Sequence, residues 1–201
     1  MNGSRKLLLV DDDRLILATT SAGLRAAGYQ VAEADSAESA LAMVARATPD
    51  LALLDIRMTP VGGFELARQL QRIGPIPFMF LSAYGDNATV EEATDLGAVG
   101  FAVKPVDIAQ LVPAVEAAIA RAADLSRLRS TGQQLEQALD QQRTISVALG
   151  VLMERHRLTR HEAQEMLRDS ARASRRRMAD VAEQLVSAAE VLSVTALREP
   201  R

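Results

Sequence analysis

Leu51-Ala52-Leu53-Leu54-Asp55 decides the fold. Four apolar residues run straight into one aspartate, just after the punctuation of Pro49-Asp50. A short unbroken apolar run of this kind reads as a strand buried on both faces of a parallel sheet. In open α/β sheets, ligands bind just past the carboxyl ends of the strands. Asp55 therefore stands where chemistry is placed. The plainer alternative is an aspartate closing an Asx turn, and the flanking segments decide between the two.

Toward the N-terminus, Lys6 to Val10 is another short apolar strand, followed by Asp11-Asp12-Asp13. Leu15, Leu17, Ala18, Leu24 and Ala26 then recur at helical spacing until Gly28 stops the helix. Val31 to Ala34 reads as a strand. Ser36 is the expected N-cap of a helix through Ala47, with Leu41, Val44 and Ala45 inward. Beyond Asp55, Gly62-Gly63 marks a turn before a helix carrying Phe64, Leu66, Ala67 and Leu70. Ile76 to Leu81 is a strand ending in Ser82-Ala83, and Asn87 to Leu96 a short helix stopped by Gly97. Val99 to Val103 is a strand ending in Lys104-Pro105, and Asp107 caps the next helix. Strands alternating with helices at this pitch predict an α/β fold, a five-stranded parallel sheet doubly wound by helices. The right-handed crossover rule leaves few topologies. The flavodoxin-like order 2-1-3-4-5 is one, with its ligand site at the switch between strands one and three.

In that order the strand ends converge on one crevice and bring Asp11, Asp12, Asp55, Ser82 and Lys104 to it. Crowded carboxylates repel and raise one another's pKa. A hard divalent cation relieves this, and Mg²⁺ takes oxygen ligands while retaining waters. Asp11, Asp12 and Asp55 thus form a candidate Mg²⁺ site, completed by the Arg57 backbone carbonyl. With Mg²⁺ on one side and Lys104 on the other, Asp55 is set up as a nucleophile toward a phosphoryl group. The Ser82 hydroxyl would donate to a third phosphoryl oxygen. Singly, each residue has a dull explanation: an N-capping acid pair, a turn serine, a solvated lysine. All five at four strand ends do not.

The stretches Leu-Leu-Val-Asp-Asp-Asp, Leu-Leu-Asp-Ile-Arg-Met, Phe-Leu-Ser-Ala and Phe-Ala-Val-Lys-Pro resemble the receiver domain of two-component response regulators, over residues 5–122. The resemblance implies Asp55 as phosphoacceptor, Asp11 and Asp12 as metal-binding acids, and Ser82 and Lys104 as phosphoryl sensors. It places Phe101 at an aromatic switch position and implies a sensor histidine kinase as partner. It implies no enzymatic turnover beyond the domain's own phosphorylation and dephosphorylation. One departure stands out. The family usually has Met-Pro after the aspartate, whereas this chain has Met58-Thr59-Pro60.

Composition sets the outer limits. The chain has 201 residues, no cysteine, no tryptophan and 3% aromatics. Disulfide and thiol chemistry are excluded, and the core must be aliphatic. The polar start Met1 to Lys6 lacks the layout of a signal peptide. No apolar run approaches the ~20 residues of a membrane span, so a cytoplasmic protein with no membrane partner is expected. Net charge is −3 but unevenly spread. Residues 1–123 carry 10 Lys+Arg against 15 Asp+Glu, while residues 143–177 hold 9 Arg against 4 acids. Such a basic cluster suggests an anionic partner, or a solvated helix face with its own ion pairs.

Past Asp107 an apolar stripe continues through Leu111, Val115, Ala118, Ala122 and Leu125. Leu128, Leu135 and Leu139 carry it on, alternating with Gly132 and Gln142, like a short imperfect coiled coil through which a homodimer would form. The alternative is one amphipathic helix lying on its own domain. Gly132 is the weak point, costing about 1 kcal/mol relative to Ala. Ile145, Ala148, Leu149 and Leu152 extend an apolar face to about His156. Thr159-Arg-His-Glu162 is a capping box opening a helix with Ala163, Met166, Leu167 and Ala171 inward. Ser174 is the expected cap of a last helix with Met178, Val181, Ala182 and Leu185 inward. The expected division is 1–122 for the α/β domain, 123–132 for a helical linker, 133–192 for a three-helix bundle and 193–201 for a tail.

Ala-Leu-Gly-Val-Leu-Met-Glu-Arg (148–155), with Glu162-Ala163, Leu167-Arg168 and Val181-Ala182, resembles the ANTAR output domain of antitermination regulators. That resemblance implies binding to paired RNA hairpin loops in a leader transcript, favouring an antiterminator over a terminator. The family commonly has a basic residue where Leu149 stands. Candidate RNA-contacting residues are Arg143, Arg155, Arg157, Arg160, Arg168, Arg172, Arg175 and Arg176. Arginine pairs bidentately with phosphate and stacks on splayed bases. Residues 124–201 contain no aromatic, which excludes stacking platforms of the RRM or OB kind. Two other outputs fit the same helices. One is a helix-turn-helix reading DNA with a recognition helix starting at Ser174-Arg175-Arg176-Arg177. The other is a helical surface that binds a protein.

Overall fold

The structure, a computed structural model, describes residues 4–83 and 87–196, with side chains to residue 189. The expected C-terminal tail lies outside the described residues from 197 onward. Five strands, β1 (Lys6–Val10), β2 (Gln30–Ala34), β3 (Leu51–Asp55), β4 (Phe78–Ser82) and β5 (Gly100–Val103), form one parallel sheet. Its order is β2-β1-β3-β4-β5. The helices are α1 (Arg14–Ala26), α2 (Ala37–Val44), α3 (Gly63–Ile73), α4 (Asn87–Asp95), α5 (Ile108–His156), α6 (Arg160–Ser174) and α7 (Met178–Ala196). The chain divides into two compact units, Met1–Arg127 and Leu128–Arg201.

In the first unit the sheet separates two apolar layers. Leu8, Val10, Ala52, Leu54 and Phe80 face α2 and α3, joined by Leu66, Ala67 and Leu70. Leu7, Leu9, Leu51, Leu53 and Met79 face the other way and meet Leu17, Leu24, Leu111 and Val115. All five residues of β3 are buried, as are all five of β4. This is why their sequences are continuous apolar runs rather than alternating ones.

Some expected inward residues point to water. In α1 the buried residues are Leu17, Ser21 and Leu24, while Leu15, Ala18 and Ala26 are exposed. The true stripe follows a four-residue, then three-residue step with a serine in its middle, which an apolar-only search misses. Helix α2 ends at Val44, three residues short of expectation, and leaves Ala45 exposed. Gly132 does not interrupt α5, which runs unbroken for 49 residues. Leu128, Leu135 and Leu139 are 69%, 60% and 61% exposed. Earlier in the same helix Leu111, Val115 and Ala118 are buried in the core of the first unit.

The second unit has its own core: Ala148, Leu149 and Leu152 of α5, Ala163 and Leu167 of α6, and Ala182 of α7. The capping box is present, with Thr159 and Glu162 exchanging side-chain and backbone bonds. Met166, expected inside, is largely exposed. Ser174 does not cap α7. It is the last residue of α6, and its hydroxyl donates back to the Ser170 carbonyl at 2.7 Å.

Candidate phosphoacceptor site and candidate nucleic-acid interface

The loop after β1 divides its three acids by task. Asp13 caps α1, its Oδ1 accepting from the Leu15 and Ile16 amides at 2.8 and 3.2 Å. A capping role, the plain explanation for acids after a strand, is thus filled by Asp13 and leaves Asp11 and Asp12 to the crevice. Asp11 is 1% exposed. Its Oδ1 accepts from the Asp13 amide at 3.0 Å. Asp55 closes β3 and is 6% exposed. Ser82 closes β4 and is buried as well.

Lys104 joins these strand ends. Its amide donates to the Ser82 carbonyl at 2.6 Å, extending the β4–β5 ladder by one step. Its ammonium lies 2.6 Å from Asp11 Oδ2 and 2.9 Å from Asp55 Oδ1. Candidate ligand oxygens of Asp11, Asp12 and Asp55 all lie within 4.8 Å of one another. An all-oxygen, mostly anionic set of this size suits a hard cation such as Mg²⁺. The three acids can hold it, and it would supply further positive charge opposite the ammonium. Arg57 follows Asp55 by two residues in the exposed turn after β3.

Electrostatics here differ in emphasis from expectation. Burial is the main force pushing the Asp55 carboxyl up, with the charges of Asp11 and Asp12 adding to it. The Lys104 hydrogen bond and charge pull the other way without cancelling the rise. Burial acts to lower the Lys104 ammonium, yet its bonds to Asp11 and Asp55 outweigh that and leave it raised. Repulsion among the carboxylates is therefore secondary to desolvation.

Two features frame Asp55. Gly63 begins α3 so close to Asp55 that a Cβ there would sit 2.1 Å from the Asp55 carbonyl oxygen. Only glycine permits this approach, and it seats the helix against the strand end. Phe101, opposite Phe80 in the β4–β5 register, packs partly buried against the layer that holds Phe64 and Phe80. Ala83 is exposed beside the site.

Sequence reasoning missed Thr59. Its amide and hydroxyl both donate to Asp12 Oδ2, at 3.0 and 3.3 Å. The displaced proline was the visible sign that this loop is unusual. Tyr29 was also missed: its hydroxyl bonds Glu116 of α5 at 2.5 Å, and burial followed by that acceptor pushes it up to about 12.

The expected RNA-contacting arginines fall into two groups. Arg168 pairs with Glu165, and Arg172 pairs with Asp169 at 3.6 Å. Arg176 donates to Gln184 at 2.6 Å. Arg143, Arg155, Arg157, Arg160 and Arg175 make no ion pair among the described residues. Arg175, Arg176 and Arg177 precede α7, which begins at Met178. The helix expected to start at Ser174 thus starts four residues later, and Ser174 to Arg177 precede it rather than open it. Leu149 is buried in the bundle core, not placed on its surface.

Comparison with known proteins agrees with this division. The response regulator receiver domain matches residues 7–116, and the ANTAR domain matches residues 133–186. The transcriptional regulatory protein PdtaR of Mycobacterium tuberculosis is 30% identical over 180 residues, spanning 89% of this chain and 88% of its own. The transcriptional regulatory protein ZraR of Escherichia coli is 36% identical over 115 residues, 57% of this chain and 26% of its own. A CheY-like receiver domain protein from Methanospirillum hungatei superposes with a TM-score of 0.57 at 25% identity, covering 61% of this chain and 98% of its own. A putative response regulator from Chloroflexus aurantiacus does so with 0.56 at 29% identity, covering 59% and 99%. No described helix is long and apolar enough to cross a membrane. With a receiver-type site at the strand ends and an ANTAR match on the bundle, the chain belongs to the response regulators that join a receiver domain to an ANTAR output domain.

Proposed function

We propose that the protein is a cytoplasmic, phosphorylation-controlled antiterminator that binds RNA hairpins. A sensor histidine kinase donates to Asp55. An Asp55 carboxylate oxygen attacks phosphorus, a P–O bond forms as the P–N bond breaks, and the electron pair leaves with the imidazole nitrogen. Asp11 and Asp12, with Asp55 and the Arg57 carbonyl, would hold Mg²⁺, which would supply positive charge toward the phosphoryl oxygens. Lys104 exchanges its Asp55 contact for a phosphoryl oxygen, Ser82 donates to another, and Phe101 moves further inward. Residues 1–122 act as receiver, 123–132 as helical linker and 133–192 as output, and the exposed leucines of the linker region pair two copies. Arg143, Arg155, Arg157, Arg160, Arg168, Arg172, Arg175 and Arg176 supply the RNA contacts.

The observation that carries this reading is the Lys104 ammonium between Asp11 and Asp55, within a cluster of three acids. The test is retention of paired-hairpin RNA with and without acetyl phosphate, alongside Asp55→Asn. Phosphodonor should raise affinity for the wild type alone. Equal affinity in both states removes the switch.

A second reading, a bundle that binds a protein, is favoured by the ion pairs that Arg168 and Arg172 make with neighbouring acids. Charge reversal at Arg168, Arg172 and Arg176 separates the two. RNA retention should fall if these residues contact phosphate and stay constant if they are merely solvated.

A further inference from the structure

The three acids of the crevice are held unequally. Asp11 is fixed by the Lys104 ammonium and the Asp13 amide, and Asp55 by the same ammonium and by burial. Asp12 is exposed, and among the described residues its hydrogen bonds come from Thr59. Both donors of Thr59, the amide at 3.0 Å and the hydroxyl at 3.3 Å, converge on one carboxylate oxygen, Oδ2. A proline at position 59 would have neither an N–H nor a hydroxyl. The later placement of the proline, at residue 60, therefore creates this contact.

We infer that Thr59 is a positioning residue for the cation site: it clips Asp12 so that its carboxylate stays with those of Asp11 and Asp55. The inference rests on the Mg²⁺ reading given above. An exposed aspartate samples several rotamers, and a cation that binds it must first order it. Two donors on one oxygen do that ordering beforehand and leave the other oxygen for the cation. Partners of this kind change metal affinity by about 10–100-fold in enclosed sites. At an exposed loop the lower end applies.

The experiment is Mn²⁺ binding to the full chain, read from the electron paramagnetic resonance of the free ion, with Mg²⁺ as competitor. Thermal midpoints without metal are recorded beside it. Thr59→Pro, which removes both donors, should raise the dissociation constant about 10-fold. Thr59→Ala, which keeps the amide, should raise it about 3-fold, and Thr59→Ser should restore wild-type binding. The Ala and Ser variants should melt as the wild type does, so a loss confined to metal binding marks positioning rather than folding. If Thr59→Ala and Thr59→Pro bind Mn²⁺ as tightly as wild type or tighter, while Asp12→Ala weakens binding, the clip is overturned and the cation site stands. If the wild type binds no Mn²⁺ that Asp12→Ala abolishes, the cation site falls and the clip with it.

Discussion

Lys104→Met is the perturbation that interrogates the crevice most directly. The ammonium sits 2.6 Å from Asp11 and 2.9 Å from Asp55. The three side chains are 12%, 1% and 8% exposed, so little water is available to replace the cation. Removing one partner of a buried ion pair costs about 3–5 kcal/mol. Asp12 beside them is exposed, so the lower end applies, about 3 kcal/mol at pH 7. Wild-type Lys104, being raised, contributes fully below its ordinary pKa of about 10.4 and loses that contribution only at higher pH. The variant behaves differently in acid. Without Lys104 the folded Asp55 holds its proton still more tightly than the unfolded chain does. Its destabilising effect is therefore full above the folded pKa and fades as pH falls toward about 4. Urea unfolding followed by tyrosine fluorescence suits the measurement, because both tyrosines, Tyr29 and Tyr84, belong to the receiver. The loss should be smaller near pH 4 than at pH 7. Saturating Mg²⁺ should stabilise the variant more than the wild type, and Asp11→Asn in the same background should recover part of the loss. A loss identical at both pH values and indifferent to Mg²⁺ would refute the electrostatic account and leave only the packing of the lysine stem.

Three further perturbations test separate links. In a Tyr84→Phe background, ultraviolet titration should place Tyr29 near 12 rather than at the ordinary value of about 10; receiver stability should decline as pH rises across that interval, and Tyr29→Phe should reduce the decline, leaving the part that Lys104 contributes. Gly63→Ala should destabilise the receiver by roughly 2 kcal/mol or more, since its methyl must displace the Asp55 carbonyl rather than a flexible side chain; denaturant midpoints check it, and an unchanged midpoint would mean the start of α3 is free to move. Thr159→Ala removes half of the capping box and should cost the bundle about 1 kcal/mol, visible as a lower helical-unfolding midpoint by circular dichroism.

The receiver was legible because its signals are redundant. Leu51 to Asp55 is a buried strand by its unbroken apolar run, by boundary and by length at once, and the same holds for β1 and β4. Alternation and handedness then left few topologies, and one of them, the flavodoxin-like order, brings the ends of the strands carrying Asp11, Asp55, Ser82 and Lys104 to one crevice without knowledge of any contact. Thr59 was not legible in the same way. Its role depends on a loop whose path puts the amide near Asp12, and no spacing rule encodes that path. Ser21 was lost for a simpler reason: a serine can occupy a buried helical position when its hydroxyl returns to the preceding turn, as here to the Ala18 carbonyl at 3.2 Å. Ser174 misled in the opposite direction. Its hydroxyl faces backward to close α6 instead of forward to open α7, and a serine between two helices carries no sign of which it serves.

The output arginines pose a different problem, since charge patterning located them but did not rank them. Exposed ion pairs are worth about 0–1 kcal/mol, so the pairs of Arg168 and Arg172 would not by themselves keep those residues from a phosphate. Backbone conformation separates the group further. Arg157 and Arg175, where the chain leaves α5 and α6, have φ of 53° and 52°. Glycine is the usual occupant of such positions, and an L-residue there costs roughly 1–2 kcal/mol. The cost recurs at both turns of the bundle, with arginine each time, and neither guanidinium makes an ion pair among the described residues. A strained position is retained where something else depends on the side chain. Under the proposed RNA-binding function, phosphate contact would supply that dependence, whereas a merely solvated arginine would not. The two turns, more than the outer helical faces, are therefore where the RNA reading is most exposed to test. Arg175→Gly should stabilise the bundle while weakening hairpin retention, and those opposite signs could not both arise if the side chain were idle.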